Sequence, residues 1–352
     1  MNPKHLGTLL HQAYGSCITG NVRQARSTIL EIRRNFVIEK SPVHAAETML
    51  IEGVLSLYSG EIDSGCDRLR RAIAIGQFFP GTDLSQVACG WLSLACYNAG
   101  DIIKSAEYVG TSLESGEVKS QRARLRISTT AANLSEYAGL PDAARRWNAA
   151  SRRAATALGI PGVLTSVIFS MAVASLDASQ RKRFNNVLSD EDAQETLGIV
   201  QSAIGYDARA GLGAQPNLHR LALGMSFSIC GRYREALNAL QCYLEDANGS
   251  RQEDAVCGFV EFALAEMNLS RQPLAQDLLQ KLEAIGVKLR EPLERAAWLS
   301  ALEDHYVLVG DIVRAQAYCK EKIDALEHRE RLSSELSKLL ERKNLMSPPA
   351  EW

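Results

Sequence analysis

Apolar residues recur at helical spacing along most of the chain, in pairs of segments joined at a glycine. The stretch "LALGMSFSICGRYREAL", Leu221 to Leu237, shows the pattern in one view, with Gly231 between its two halves. The same arrangement returns at Gly20 in "SCITGNVRQA", Gly60 in "SLYSGEIDSG", Gly100 in "CYNAGDIIKSA", Gly139 in "SEYAGLPDAA" and Gly310 in "YVLVGDIVRA". Ser270 in "MNLSRQPLA" takes the equivalent place between the last two. Successive differences are 40, 40, 39, 92, 39 and 40 residues, which marks an internal repeat. The interval of 92 holds two periods: Leu164–Ser179 reads as a first helix, and its second helix is delayed to Asp192–Ile204 by the polar insertion "QRKRFNNVLSDED". Eight helical hairpins result.

Each copy has a physical logic. Seven residues before the turn stands a small residue, Ala13, Gly53, Ser93, Ala132, Ala172, Gly224 or Ala263, where two helices must approach closely. Five residues after the turn another follows, Ala25, Gly65, Ser105, Ala144, Ala236, Ala275 or Ala315. The turn glycine supplies the left-handed conformation at a helix C-terminus. One such hairpin cannot bury both of its faces, so neighbours must stack.

Leu223-Gly224, Phe227, Gly231, Tyr233 and Ala236, and then Tyr306, Gly310 and Ala315, carry a resemblance to the tetratricopeptide repeat (TPR) family over about residues 5 to 325. The period of about 40 exceeds the family's usual 34, and the proline expected near the end of the second helix is mostly missing. The resemblance implies an all-α protein: a right-handed α-solenoid of about eight TPR-like helix-turn-helix repeats with a C-terminal extended helix. HEAT-like or other solenoid geometry stays open. The expected divisions are repeats 1–4 over 5–160, a degenerate repeat 5 with an inserted loop over 161–204, repeats 6–8 over 205–325, a charged capping or coiled-coil helix over 326–345, and a disordered tail over 346–352.

In such repeats the first helices line a concave groove. Carried over position by position, the groove side chains of the first half include Tyr14, Tyr58, Trp91, Tyr97, Asn98, Arg126, Asn133 and Tyr137. Aromatics mixed with hydrogen-bonding groups are the composition of a recognition surface, so these eight form the candidate partner or peptide site. Each of the aromatics also fits an inter-repeat core. The second half is lined at matching positions by Leu221, Met225, Ile229, Val260, Leu264, Met267, Val307 and Leu308, an apolar face.

Composition changes this picture little. With 352 residues, 39 basic and 41 acidic side chains, the chain is long enough for a repeat array and has no global field directed at nucleic acid or membrane. Locally, Lys119 to Arg183 carries eleven basic against three acidic residues, either a solvated face or a surface for an acidic partner, with nucleic acid the weakest reading. The N-terminus lacks a signal-peptide pattern and no run approaches 18 uninterrupted apolar residues, so a cytoplasmic protein away from the membrane is expected. Eight scattered cysteines read as reduced, buried thiols, and no metal or cofactor is expected.

No P-loop, GxSxG or HExxH occurs. "GYDARAGLGAQPN" reads as a loop, Asp190-Glu191-Asp192 as a solvated helix start, and Glu303-Asp304-His305 as neighbours pointing apart. No enzyme activity is expected. The ending "KEKIDALEHRERLSSELSKLLERKNL" is similar to the linker helix of bacterial signalling proteins in which a tetratricopeptide array leads to an output domain. Here only "MSPPAEW" follows. The expectation is therefore a protein-protein interaction module, an adaptor or regulator, with a ligand-responsive sensor acting on a separate output protein as the alternative; the C-terminal helix offers a route to a homodimer.

Overall fold

The computed structural model describes residues 3–36, 38, 41–160, 162–210, 216–246, 252–286, 289 and 291–352. Among these the protein is all-α, with sixteen helices. They are α1 (Pro3–Ile18), α2 (Val22–Asn35), α3 (Pro42–Tyr58), α4 (Ile62–Gly76), α5 (Leu84–Asn98), α6 (Ile102–Glu114), α7 (Gln121–Tyr137) and α8 (Pro141–Leu158). There follow α9 (Val163–Phe184), α10 (Asp190–Ala210), α11 (Pro216–Ile229), α12 (Tyr233–Asp246), α13 (Gln252–Ser270), α14 (Gln276–Ile285), α15 (Pro292–Val309) and α16 (Ile312–Arg342). Two compact units form, one from 1–168 with 333–352 and the other from 169–332. In the first, α1, α3, α5 and α7 touch in succession and each is paired with the helix that follows it; in the second, α11, α13 and α15 touch likewise.

The turns repeat atom for atom. Gly20, Gly60, Gly100, Gly139, Gly231 and Gly310 all have φ between 70° and 84°. The next residue then donates its N–H to the carbonyl five positions back: Asn21 to Ser16, Glu61 to Ser56, Asp101 to Cys96, Leu140 to Ser135, Arg232 to Phe227 and Asp311 to Tyr306, at 2.8–3.0 Å. This bond recovers a helix-end carbonyl that would otherwise lack a donor, and the left-handed residue makes it reachable.

Across each hairpin the small residues face one another. A Cβ added to Gly65 would stand 2.9 Å from the Gly53 carbonyl oxygen and 2.8 Å from Leu57 Cδ2. Ser93 and Ser105 occupy the same pair of positions in α5 and α6; each hydroxyl donates to the other's carbonyl, at 2.7 and 2.8 Å. Ala13, Ala25, Ala132, Ala144 and Ala236 are fully or almost fully buried at theirs. Helix backbones this close exclude larger side chains, which is why the spacing is so legible.

Four segments differ from the sequence reading. The stretch "QRKRF" is the last part of α9 and not an inserted loop; the turn comes at Asn186, with φ 57°, where Val187 N–H reaches the Lys182 carbonyl at 2.9 Å. The interval of 92 thus splits into 47 and 45. Ser189 then caps α10, its hydroxyl accepting from Asp192 N–H at 3.1 Å while Asp192 Oδ2 accepts from the Ser189 hydroxyl at 2.8 Å, so the three acids do begin a helix. In the seventh hairpin the left-handed residue is Arg271, one later than expected, and Ala275 is the exposed N-cap of a ten-residue α14. Of the stretch read as a loop, Gly205–Ala210 is helical, and 211–215 lie outside the described residues.

The fourth difference is the C-terminal end. Asn344, at φ 54°, ends α16 with the same turn, Leu345 N–H donating to the Leu340 carbonyl at 2.8 Å. Leu336, Leu339, Leu340 and Leu345 are buried in the first unit, so these leucines of the segment expected to cap the array or form a coiled coil are covered by the chain itself. Among the described residues one helix, α9, is long and apolar enough by length and composition to cross a membrane. Its Ser179 is hydrogen-bonded to Thr196 at 2.7 Å and its Gln180 to Glu261 at 2.8 Å, contacts of a core helix.

Candidate functional site

Four of the eight expected site residues, Tyr14, Tyr58, Trp91 and Arg126, meet in the first unit. Tyr14 on α1 is fully buried, and its hydroxyl accepts from Trp91 Nε1 on α5 at 3.3 Å. Arg126 on α7 lies 3.7 Å over the Trp91 ring, an approach at which the guanidinium and the π face attract. Tyr58 meets the same ring edge-on, with centroids 6.2 Å apart. Burial pushes the Tyr14 hydroxyl above the ordinary phenol range, and neighbouring Arg126 and Arg122 offset part of that rise.

Beside them stands an ion pair that the sequence reading missed. Arg122, one turn before Arg126, donates from Nε and Nη2 to the two oxygens of Asp83, at 3.0 and 2.6 Å, and from Nη1 to Glu47 at 2.7 Å. The Ser120 hydroxyl, at the N-cap of α7, also donates to Asp83. Burial alone would raise the Asp83 carboxyl, but these hydrogen bonds outweigh it and hold the group below its ordinary value. The partners are 39 and 75 residues from Arg122, so no local pattern announces them.

The other expected residues divide. Tyr97 and Tyr137 meet edge-on at 6.4 Å, Tyr137 being buried and Tyr97 half-exposed. Asn133 is half-buried on α7 and Asn98 exposed at the end of α5. Tyr14, Trp91 and Tyr137 are therefore core, with Trp91 only 2 % exposed. What the surface offers is Tyr58, Tyr97, Asn98, Arg126 and Asn133, on α3, α5 and α7.

In the second unit the apolar lining is corrected by one residue. With the turn at Arg271, Val260, Leu264 and Met267 are each 2 % exposed and belong to a core with Leu282 and Leu302. The position that faces α9 is Glu261, which accepts from Gln180 Nε2 at 2.8 Å and pairs with Arg183 at 3.2 Å. Leu221 is buried, Met225 and Ile229 are half-buried, and Val307 and Leu308 are exposed.

Part of the basic run is occupied by the chain's own end. Trp147 on α8 is fully buried; its Nε1 donates to the Leu345 carbonyl at 2.8 Å, and its ring meets Trp352 edge-on at 5.9 Å. Arg146 donates to the Met346 carbonyl at 2.9 Å, Arg153 to that of Trp352 at 3.1 Å and Arg124 to that of Glu351 at 3.3 Å. Where the sequence reading expects a disordered tail over 346–352, three arginines hold its backbone and Trp147 meets the ring of Trp352. Arg145 and Arg152, the remaining arginines of α8, are exposed.

Burial pushes the Cys17 thiol up to about 12 and Cys89 and Cys96 to about 11, which keeps them protonated. His305 is buried, and its Nδ1 accepts from Leu274 N–H at 3.0 Å, while adjacent Glu303 takes Lys322 at 2.6 Å; the two point apart, as helix geometry requires. No protein-family model and no curated protein matches the chain. The likeness to tetratricopeptide repeats therefore rests on the chain's own spacing.

Proposed function

We propose that the chain is an α-solenoid of eight tetratricopeptide-like hairpins and works as a non-enzymatic interaction module, an adaptor or regulator that takes a partner protein or peptide on the face formed by its first helices. The observation that carries this reading is the row of half-exposed aromatic and polar side chains, Tyr58, Tyr97, Arg126 and Asn133, on helices α3, α5 and α7 that touch in succession. Aromatic anchors beside amide and guanidinium donors are what a peptide-recognising surface needs, because the first bury area and the second fix register. The 40-residue spacing and the common turn geometry support the repeat reading.

The test is capture from a lysate of the cells that produce the protein, with the immobilised full chain and mass spectrometry as the readout. The control is a Tyr58→Ala, Asn133→Ala double variant, both positions being only half-buried, with its helicity checked by circular dichroism. A protein retained by the wild type and lost from the folded variant supports the reading. Equal retention by both removes the proposed face.

A further inference from the structure

Arg126 is held in place by carbon and π contacts alone. Its stem crosses α5 at Gly90, where an added Cβ would stand 3.1 Å from Arg126 Cγ and 3.2 Å from its Cβ. Its guanidinium rests on Trp91, and Trp91 is fixed in turn by Tyr14 and Tyr58. Yet Nε is buried without an acceptor, and among the described residues no carboxylate, carbonyl or hydroxyl accepts from any of the five N–H groups of this side chain. Only Nε is covered; the side chain is half-exposed, so its Nη groups reach the surface, and this outer edge of a preorganised guanidinium is free to take an acceptor that the chain does not supply.

The neighbourhood narrows what that acceptor is. Arg122 is consumed by Asp83 and Glu47, and this trio carries one net negative charge one turn away. A dianion such as phosphate would face that charge with a single guanidinium to hold it. One carboxylate matches the planar fork of the arginine and adds only one charge. Asn133 stands seven residues further along α7, two turns on the same side of the helix, with an amide able to give and take a hydrogen bond.

We propose that Arg126, backed by Trp91, is the receptor for a single carboxylate: the side chain of a glutamate or aspartate in an acidic peptide segment of the partner. This rests on the interaction reading above and names the chemistry of its ligand. Gly90 and Trp91 are positioning residues, the first opening the path of the arginine stem and the second orienting its fork.

The test uses the full chain, labelled with nitrogen-15, and follows arginine Nε–H resonances, with that of Arg126 identified by its loss in Arg126→Gln. Three probes are titrated at constant ionic strength: a short N-acetylated, amidated peptide with a central glutamate, its glutamine counterpart, and inorganic phosphate. The expected result is a saturable shift of the Arg126 signal with the glutamate peptide, at least tenfold tighter than with glutamine or phosphate. Arg126→Gln should abolish binding, read as the shift of backbone amides in α5 and α7. Gly90→Ala, which keeps the charge but displaces the stem, should weaken it several-fold and serves as a second readout should Arg126→Gln fold poorly.

Equal affinity for the glutamate and glutamine peptides, preference for phosphate, no shift at all, or binding that survives in both variants would each overturn the proposal. The two readings fail separately. Glutamate-peptide binding without any captured partner removes the interaction reading and leaves the carboxylate site, whereas capture that is indifferent to Arg126 does the reverse.

Discussion

Arg183 and Arg126 are both half-buried arginines on the first helix of their hairpin, one in each unit, and their surroundings treat them oppositely. In the second unit Arg183 meets Glu261, which is almost wholly buried and takes a further hydrogen bond from Gln180. In the first unit Arg126 lies on an aromatic ring, and the nearby acids are spent on Arg122. A guanidinium closed by a buried acid holds helices together. One left open on a rigid support keeps its hydrogen-bonding capacity for something else.

The largest expected effect is in the first unit. Trp147→Ala empties a fully buried position there and removes the donor to Leu345; a loss of about 3–5 kcal/mol is expected, with faster proteolysis of the 345–352 segment. Unchanged proteolysis would mean that the arginines alone hold the segment. The next breaks the closed case. Glu261→Ala removes the buried acid that pairs with Arg183 and accepts from Gln180, and should cost the second unit about 3 kcal/mol, read from the denaturant midpoint.

Asp83→Asn should cost about 2 kcal/mol by weakening the charged hydrogen bonds to Arg122. The sign with pH follows from the lowered carboxyl. Its contribution is whole at neutral pH and is lost as pH falls below about 4, the unfolded value, towards the lower folded one. A variant whose acid-unfolding midpoint coincides with the wild type would rule this pair out as a source of acid sensitivity.

His305 acts at a higher pH. Burial lowers its pKa, so the neutral ring that accepts from Leu274 is favoured above about pH 6.5, the unfolded value, and the folded second unit loses stability as pH falls below it. The protection factor of the Leu274 amide, its exchange rate relative to the unfolded chain at the same pH, should fall over that range in the wild type and stay constant in His305→Gln. The smallest effect sharpens the open case: Arg126→Gln should change stability by no more than about 1 kcal/mol, because no partner is left behind. A loss comparable to that of Glu261→Ala would show that Arg126 has a structural partner after all.

The turns were legible because glycine has a reason that survives without a structure. A left-handed residue followed by a bond to the carbonyl five back needs no Cβ, and six of the turns use glycine for it. Arg271 escapes the same reading, since nothing in its residue type favours the left-handed conformation, and Asn186, of the type that takes it most readily after glycine, lies inside the stretch read as an insertion. At Arg271 the error was one residue, and one residue is about 100° around a helix. That rotation exchanged Glu261, the partner of Arg183, for Val260 and turned a core into an apparent apolar groove.

By itself the sequence determined the helical hairpins, their spacing and the small residues at which each pair closes, because these depend on local backbone geometry and on contacts twelve residues apart. Only the tertiary structure decided which of the eight expected site residues are core, which acids Arg122 consumes, and that the end of the chain lies on α8. Those outcomes depend on contacts between residues some forty to two hundred positions apart, where nothing in a single sequence records who meets whom.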